Sequence, residues 1–413
     1  MKIDPRRQLK LARMPYHSRI PEVAQETRYN FMHSSPVFER QVLPLDPRRS
    51  IITSAYFGGT YDALMFGSNN YLALSGDPRV KEAAIGAIEN YGVSLTGSMV
   101  LNGNSPLHKQ LELAVAELKG AEEAIIFSSG YLANCSWVRA LVRPEDAVVF
   151  DERGHTSFLE GLRLVDSKSK IPFMHNSLES FERSIERAKK EASDIYVFTE
   201  GLFSMDGDLP PLREIAQICQ DVGAILAVDD AHGTGVLGKT GSGIAEHLGL
   251  ASSADITVGT LSKALGCVGG FISGSSDLIT CLRSQSFPNI FTASLPPPVV
   301  AACLKSIEIL KAEPERIEQL AENSRFAREV LSDRYKVVDG YGPIIPLQFD
   351  AKTDVQNLAF RLLEEGIFVN CATFPAVPVN SPRLRVTMNC MHTQEDIIFL
   401  REKLDQVVNE VGQ

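Results

Sequence analysis

The chain has 413 residues, of which 44% are hydrophobic, and its 41 basic and 51 acidic side chains give a formal net charge of −10. Its 30 glycines and 22 prolines are ordinary for a folded protein, so the composition excludes a fibrous or disordered chain and predicts one large or two modest domains. The acidic excess argues against nucleic acid or an anionic membrane surface as the main partner, because such partners need a dense basic face. Any anionic ligand must therefore be bound by local groups.

The cysteines and the first residues bear on the compartment. The seven cysteines are scattered without a C-x-x-C pair, which favours neither a zinc site nor a disulfide framework, and we expect no metal and a reducing, cytoplasmic compartment. The segment from Met1 to Ile20 is basic but contains Pro5 and Pro15 and lacks an apolar core, and no stretch approaches the roughly 18 apolar residues of a membrane span. A mitochondrial-type leader is the minor alternative.

The first clear element along the chain is a helix that begins near residue 105. Residues 1–60 lack strong periodicity and are predicted to form an N-terminal helix and arm. Asn104 or Ser105 can then cap a helix whose first turn holds Pro106 and which Gly120 ends.

From about residue 105, helix-period segments alternate with short apolar runs, the pattern of parallel strands joined by crossover helices. The predicted strands are Ala124–Ser128, Ala147–Asp151, Asp194–Thr199, Ala224–Asp229, Asp255–Gly259 and Gly270–Ser273. The run Leu295-Pro296-Pro297-Pro298 interrupts this pattern, and a long helix and a mixture of strands and helices follow it. The sequence therefore predicts an α/β fold with an N-terminal arm over 1–60, a large mostly parallel-sheet domain over 61–295 and a smaller α+β domain over 296–413.

A glycine-rich segment at residues 233–240 matches two nucleotide-binding patterns, G-x-G-x-x-G and G-x-x-x-x-G-K-[ST]. A phosphate loop needs a helix that begins at the Lys-Thr pair, but Gly241 and Gly243 disfavour that helix. The dinucleotide pattern needs an acid at the end of the next strand, whereas Asp255 lies at its start. We therefore interpret the segment as a glycine-rich surface turn.

Polar residues follow several of the predicted strands, at the edge where open α/β sheets bind ligands. Lys263 lies in Thr-Leu-Ser-Lys-Ala-Leu-Gly among apolar and small residues, which should lower its pKa and make it a nucleophile toward carbonyls. Asp229 ends a buried strand and can pair with a pyridinium nitrogen, and His155 follows another strand and can stack on a ring. A Schiff-base lysine, such an acid and a phosphate site are the requirements of pyridoxal 5′-phosphate (PLP).

The phosphate site is predicted at a helix start. Ser129, Gly130 and Tyr131 open a helix, so their N–H groups can bind a phosphate, and Thr260 can add a hydroxyl. Each of these residues alone has an ordinary structural explanation. Together, five strand ends supply complementary parts of one cofactor site.

Three segments, 199–208, 229–238 and 260–266, resemble the α-oxoamine synthase family. The resemblance spans roughly residues 60–410, and it explains the glycine-rich segment as a turn of this family. It implies a PLP-dependent homodimer of fold type I with its active sites at the dimer interface.

The resemblance also implies a role for each matching residue. Lys263 would form the Schiff base, Asp229 would pair with the pyridine nitrogen, His155 would stack on the ring, and His232 and Ser204 would lie near the phenolic oxygen and the substrate. The remaining cofactor residues would be Ser129, Gly130, Tyr131, Thr260 and, toward the neighbouring subunit's phosphate, Thr292. Asn69 and Arg385 would bind the amino-acid carboxylate, Arg385 being preferred over Arg383.

The reaction that the resemblance implies is the decarboxylative condensation of a small α-amino acid with an acyl thioester, carried by CoA or by an acyl carrier protein. Many members have Gly-Ser-Arg where this chain has Gly97-Ser98-Met99, so acyl specificity stays open. The alternative is a PLP aminotransferase or lyase that uses no thioester. An ATPase using residues 233–240 and a catalytically dead partner subunit are less favoured, the latter because Lys263 is present.

Overall fold

A computed structural model describes residues 10–11, 13–33, 39–54, 58–250, 254–374 and 376–411. Its strands, in chain order, are β1 Arg40–Pro44, β2 Arg49–Ser54, β3 Thr60–Met65, β4 Glu123–Phe127, β5 Ala147–Asp151, β6 Ser169–Phe173, β7 Ile195–Glu200, β8 Ile225–Asp229, β9 Ile256–Thr260, β10 Gly270–Gly274, β11 Lys336–Val337, β12 Ile344–Gln348, β13 Ile367–Phe368, β14 Asn370–Ala372 and β15 Arg383–Thr387.

Its α-helices, in chain order, are α1 Tyr16–His33, α2 Pro78–Tyr91, α3 Pro106–Lys119, α4 Gly130–Leu141, α5 Thr156–Arg163, α6 Leu178–Glu191, α7 Leu212–Val222, α8 Ile244–His247, α9 Ser276–Gln285, α10 Phe287–Phe291, α11 Pro297–Ala312, α12 Glu315–Ser332, α13 Val355–Glu364 and α14 Gln394–Val411. Within the described ranges, no helix is both long and apolar enough to cross a bilayer.

The chain forms two compact units. The larger comprises residues 69–204 and 208–321, and the smaller comprises residues 1–68, 205–207 and 322–413. The boundaries of these units differ from those of the predicted domains. Helix α11 belongs to the larger unit, and residues 1–68 belong to the same unit as the C-terminal segment. The division into 1–60, 61–295 and 296–413 stays a prediction about folding units.

A seven-stranded sheet with the order β4-β10-β9-β8-β7-β5-β6 organises the larger unit. Only β10 runs against the others, because it pairs antiparallel with both β4 and β9. Strands β7 and β8 are buried along nearly their whole length, as parallel strands covered on both faces must be. The predicted fold class, an α/β fold with a large, mostly parallel sheet, is confirmed.

The six strands predicted for this sheet agree with the structure to within one residue at each end. The sequence did not predict β6, whose five residues alternate between buried and exposed positions and include Pro172. This strand lies at the sheet edge and pairs only with β5, where a proline is tolerated. Only its buried positions need apolar side chains, so its apolar signal is weaker than that of the central strands.

Helix α3 begins and ends as predicted. Ser105 is its N-cap residue, Pro106 lies in its first turn, and Gly120 ends it with a φ of 63°. The aromatic core beside the sheet includes Phe158 and Phe198, whose rings stack with centroids 3.7 Å apart. This contact packs α5, the helix that follows β5, against β7 of the sheet.

The smaller unit contains two four-stranded sheets, with orders β1-β2-β3-β13 and β11-β12-β15-β14. The N-terminal region contains helix α1, and also β1 and β2, which the sequence did not predict. Four of the five residues of β1 are exposed, so the strand carries no apolar alternation. Residues 1–9 of the predicted arm lie outside the described residues.

Candidate active site

The parallel strands of the large sheet end along one edge, and the predicted site residues follow those ends. Ser129 follows β4, His155 follows β5, Ser204 follows β7, His232 follows β8 and Lys263 follows β9. Parallel strands of one sheet bring their carboxyl ends to the same side, which gathers these residues of the larger unit at one edge.

Helix α4 begins shortly after β4 in the chain, and its first backbone N–H groups are available as donors. Its N-cap residue Ser129 accepts from the Leu132 N–H through its hydroxyl (3.2 Å) and from the Ala133 N–H through its carbonyl (3.1 Å). The first N–H groups of a helix, here those of Gly130 and Tyr131, have no partner within the helix. A Cβ at Gly270 would clash with the Gly130 backbone nitrogen, so glycine is required for this approach of helix to sheet.

Asp229 and His155 are joined by two side chains that the sequence reasoning did not select. Asp229, only 6% exposed, accepts a 2.6 Å hydrogen bond from the Asn134 side-chain amide. The same amide nitrogen donates to the Ser157 hydroxyl at 2.9 Å, and that oxygen lies 2.7 Å from Nδ1 of His155. The Ala231 N–H also donates to Asp229 at 3.0 Å. The carboxylate is thus oriented from both sides.

Glu200 and His155, two titratable groups at these strand ends, have shifted pKa values. Burial and the neighbouring Asp229 charge raise the pKa of Glu200 well above its usual range, although the Lys263 ammonium opposes them. Although His155 is exposed, the protein atoms around its ring desolvate it and lower its pKa; the Asp229 charge opposes this shift and the Lys263 charge adds to it. The groups at these strand ends therefore interact electrostatically.

His232 is held by a buried tyrosine. The Tyr71 hydroxyl lies 2.7 Å from Nδ1 of His232 and 3.2 Å from Oδ1 of Asn69. Tyr71 is fully buried and His232 is 5% exposed. The structure thereby brings the predicted site residues Asn69 and His232 together, with Tyr71 between them.

Lys263 lies half-buried in a turn built by the backbone. The Gly266 N–H donates to the Lys263 carbonyl (2.9 Å) and the Cys267 N–H to the Leu261 carbonyl (2.9 Å). The Thr260 hydroxyl donates to the Gly269 carbonyl at 2.9 Å, so its proton is engaged. The hydroxyl of Ser262, an exposed residue, lies 2.8 Å from that of Thr260. Ser262 is thus an additional polar group at this strand end that was not predicted from the sequence.

The glycine-rich segment at 233–240 is a turn, as predicted, but only its end, Lys239 and Thr240, is exposed on the surface. Residues 232–237 are buried, because the turn wraps around the Asp230 carboxylate. That carboxylate forms a 2.8 Å ion pair with Lys119, whose side chain is 5% exposed. No helix begins at Lys239-Thr240, and α8 starts only after Gly243. The helix N-terminus that a nucleotide phosphate needs is therefore missing at this place.

The remaining predicted residues make other contacts. Ser204 is half-buried, and its N–H donates to the Glu200 carboxylate. Thr292 ends α10 and lines a shallow depression with Met99 and Ser128. Arg385 lies in β15 of the smaller unit and donates a 3.2 Å hydrogen bond to the Thr387 hydroxyl.

Comparison with known proteins decides the family. The aminotransferase class I and II family matches residues 61–404. An 8-amino-7-oxononanoate synthase of Symbiobacterium thermophilum is 39% identical over 353 residues, which cover 85% of this chain and 90% of that protein. A second one, from Fervidobacterium nodosum, is 39% identical and covers 82% of this chain and 87% of its own. The chain belongs to the aminotransferase class I and II family, in its α-oxoamine synthase branch.

Solved structures of this branch have the same fold. A serine palmitoyltransferase variant from S. paucimobilis with bound PLP and myriocin superimposes with a TM-score of 0.90 at 29% identity and covers 97% of this chain and 100% of its own. The Sphingomonas wittichii serine palmitoyltransferase gives a TM-score of 0.89 at 32% identity over 95% of this chain and 98% of its own. The resemblance to the α-oxoamine synthases that the motifs indicated is thus confirmed.

Proposed function

We propose that this α-oxoamine synthase is a PLP-dependent C-acyltransferase that condenses a small α-amino acid with an acyl thioester and releases carbon dioxide. The observation that carries the proposal is the gathering of Lys263, Asp229 and His155 at the carboxyl edge of one sheet, with Asp229 and His155 joined through Asn134 and Ser157. The 8-amino-7-oxononanoate synthase relatives and the serine palmitoyltransferase folds support the reaction class.

The residues present fit PLP. The first amides of α4, at Gly130 and Tyr131, supply donors and the positive end of a helix for a 5′-phosphate. Ser129 fixes that helix start, and the hydroxyls of Thr260 and Ser262 lie beside one another at the end of β9, which β10 separates from β4 in the sheet. Because the Thr260 proton is engaged by the Gly269 carbonyl, Ser262 is the donor in the contact between the two hydroxyls, and it must turn away from Thr260 to donate to a phosphate.

The ring and aldehyde of the cofactor have matching groups as well. The buried Asp229 carboxylate would hold a protonated pyridine nitrogen, and the His155 ring would cover one ring face. Lys263 would bind the aldehyde carbon, while His232, oriented by Tyr71, and Ser204 would lie on the side of the phenolic oxygen. When bound, PLP supplies the electron sink that lets an amino acid lose its α-proton.

The protein's own groups then bind substrate and move protons. Lys263 accepts the α-proton of the amino acid, because its amine is released when the substrate takes its place. Asn69 and Arg385 bind the amino-acid carboxylate. The new carbon–carbon bond joins the α-carbon to the acyl carbonyl carbon, and the thiolate leaves and takes up a proton from solvent. The carboxylate is then lost as carbon dioxide, and return of the proton from Lys263 to the α-carbon yields the α-amino ketone.

The reaction itself is tested by product analysis. A panel of small amino acids is offered with acyl-CoA and acyl-carrier-protein thioesters, and mass spectrometry should detect an α-amino ketone together with stoichiometric carbon dioxide and free thiol. An aminotransferase or lyase would instead convert the amino acid without any thioester, which a keto-acid exchange assay detects. That second result would replace the condensation by the alternative reaction of the same fold.

Met99 motivates a prediction about the acyl donor. This residue lines the depression beside Phe127 and Thr292, and its uncharged, adaptable side chain suits an apolar chain better than a second carboxylate. Each buried CH₂ favours binding by about 0.8 kcal/mol, so two to three of them give about a tenfold to hundredfold preference. With one amino acid, we expect kcat/KM for a saturated medium-chain acyl-CoA to exceed that for succinyl-CoA or pimeloyl-CoA by about tenfold or more.

Two variants at this position test the prediction, and the second of them is the matched control. Met99→Arg should shift the preference toward the dicarboxylic donors, whereas Met99→Leu, which stays apolar, should retain the wild-type order. A wild-type preference for succinyl-CoA or pimeloyl-CoA would show that another cation meets the second carboxylate and that Met99 does not set the specificity.

We further propose a homodimer with active sites at the subunit interface, and the cytoplasm as its compartment. The segments around Ser98 and Ala293 pair through an isolated β-bridge, which brings exposed apolar residues beside Thr292. Leu101 is 79% exposed and Phe291 is 76% exposed. Exposed apolar side chains clustered in this way are typical of an interface. The seven free thiols fit a reducing compartment.

Subunit complementation tests the dimer. If Thr292 acts on the neighbouring subunit's cofactor phosphate, Lys263→Ala and Thr292→Asp are each inactive, but a heterodimer contains one site with both wild-type residues. After dissociation and reassociation of an equal mixture, we expect up to about a quarter of the wild-type activity, since about half the dimers are mixed and each has one complete site. Mixing the Lys263→Ala/Thr292→Asp double variant with either single variant should restore nothing. An active monomer in sedimentation would contradict the proposal.

A further inference from the structure

His175 lies between two carboxylates at the same edge of the sheet. Its Nδ1 is 3.0 Å from Oδ1 of Asp151, and its Nε2 is 2.8 Å from Oδ2 of Asp208. The side chains of His175 and Asp151 are 9% and 1% exposed, and that of Asp208 is 21% exposed. The ring also meets Phe203 edge-on, with centroids 4.5 Å apart.

Proton counting gives the charge of this histidine. A neutral imidazole has one N–H, so one of its nitrogens would turn a lone pair toward a carboxylate, whereas an imidazolium donates from both nitrogens. Burial alone would lower the pKa of His175, but the hydrogen bonds to Asp151 and Asp208 outweigh it and raise the pKa to about 9. At neutral pH the side chain is therefore a cation.

One of its partners shapes the turn that leads to His155. Asp151 is the last residue of β5, and its carboxylate also accepts from the Arg153 N–H at 2.9 Å. The Gly154 N–H donates to the Asp151 carbonyl at 2.9 Å. His155 follows immediately and caps α5. A cation that fixes the Asp151 carboxylate therefore fixes the start of the segment that presents His155.

The other partner lies in the segment that carries Ser204. The Phe203 N–H donates to the Asp208 carbonyl at 3.0 Å, which closes the loop containing Ser204. Asn176, next to His175, donates to the Asp208 carboxylate at 2.7 Å and to the Leu209 carbonyl at 3.2 Å. His175 thus contacts both loops, one through each ring nitrogen.

We infer that His175 is a positioning residue for the reaction proposed above: as a buried imidazolium between Asp151 and Asp208, it holds the segments that present His155 and Ser204 in register. This inference rests on the proposed function for what those two residues do. The hydrogen bonds of His175 to Asp151 and Asp208 do not depend on any bound group.

The same geometry makes stability depend on pH. The folded-state pKa of about 9 lies above the ordinary value of 6.5, so the stabilisation is complete below pH 6.5 and is lost as the pH rises through about 9. Charged groups close to His175 include Asp151 and Asp208, which its ring nitrogens contact, and Glu152, whose carboxylate accepts from the backbone N–H of His175 at 3.4 Å. Asp206, two residues before Asp208 in the chain, is paired with Arg383.

The test compares wild type with His175→Gln, Asp208→Asn and, as a matched control, His247→Gln on the half-buried short helix α8. We expect His175→Gln to lower kcat about 10- to 100-fold, as a displacement of about 1 Å in a catalytic group does, with the KM for the amino acid changed less than about threefold. The visible circular dichroism of bound PLP should weaken, because the ring is less firmly held. Cofactor-free wild type should lose thermal stability between pH 7 and 9.5, and His175→Gln should lose markedly less over that range.

If His175→Gln does not fold, Asp208→Asn tests the same inference, because Asp208 is the more exposed of the two carboxylates that contact His175. Asp208→Asn should reproduce the fall in kcat and the weaker visible circular dichroism. Unchanged kcat and circular dichroism in both variants, with only a lower melting temperature, would overturn the positioning role and leave a structural ion pair. A wild type that binds PLP but makes no amino ketone would instead overturn the proposed function, and the pH dependence of the cofactor-free protein would still test the imidazolium.

Discussion

Lys263→Ala should abolish condensation, with a loss of at least about a thousandfold, because one amine serves both as the covalent attachment of the cofactor and as the base. Borohydride treatment of wild type should fix the cofactor on Lys263 alone, as peptide mapping by mass spectrometry will show. The variant should keep its fold. The turn around residue 263 is held by backbone bonds from Gly266 and Cys267, and a half-buried strand-end side chain contributes little to the core.

Lys239→Ala is the matched control for this prediction. Lys239 is the exposed lysine of the glycine-rich segment that imitates a nucleotide loop, so its removal should leave condensation and cofactor absorbance unchanged. Label on a lysine other than Lys263, or a colourless protein that fails to take up PLP, would contradict the assignment. Loss of activity in Lys239→Ala with Lys263→Ala still active would revive a nucleotide-dependent reaction.

The strand-end residues could be predicted because two independent signals coincide on them. Runs such as Ile225–Asp229 are continuously apolar and end in a polar residue, which marks both a buried parallel strand and the edge where it ends. Since all parallel strands end on one side, the grouping of Asp229 with Lys263 and His155 follows from topology without any knowledge of side-chain contacts.

The groups that orient these residues could not be predicted, because their contacts join distant parts of the chain. Asn134 lies within an ordinary helix, 95 residues before its partner Asp229. Tyr71 meets His232 across 161 residues. In the sequence each is a polar or aromatic residue without a local pattern, and only the packed sheet shows that its polar atom is buried and must be paired.

The glycine-rich turn shows a different limit. Its conformation was predictable from Gly235 and Gly241, which adopt positive φ angles of 76° and 75°. Its burial was not, because it results from the ion pair between Lys119 and Asp230, which the turn surrounds. A polar, glycine-rich composition is typical of surface turns, and the buried charge pair is what overrides that expectation here.

Arg385→Lys should raise the KM for the amino acid about 10- to 100-fold, since a lysine cannot reproduce two parallel hydrogen bonds to a carboxylate and one charge-assisted bond contributes about 1.5–3 kcal/mol. The choice between the two arginines of β15 now has a structural basis. Residues 383 and 385 lie on one face of the strand, but the Arg383 guanidinium donates to the buried Asp206 carboxylate and to the Met205 carbonyl. Its charge is therefore already neutralised within the smaller unit.

Arg383→Lys is accordingly the matched control, and the two variants should fail in different ways. Weakening a buried ion pair costs stability, so Arg383→Lys should lower the melting temperature while the amino-acid KM stays within about threefold of wild type. Arg385→Lys should change the amino-acid KM strongly and the acyl-thioester KM little, because the thioester does not carry the carboxylate that Arg385 is proposed to bind. Steady-state kinetics with each substrate varied in turn separates these effects. If Arg383→Lys raises the amino-acid KM and Arg385→Lys does not, the carboxylate is bound by Arg383, and the ion pair with Asp206 must then open when substrate binds.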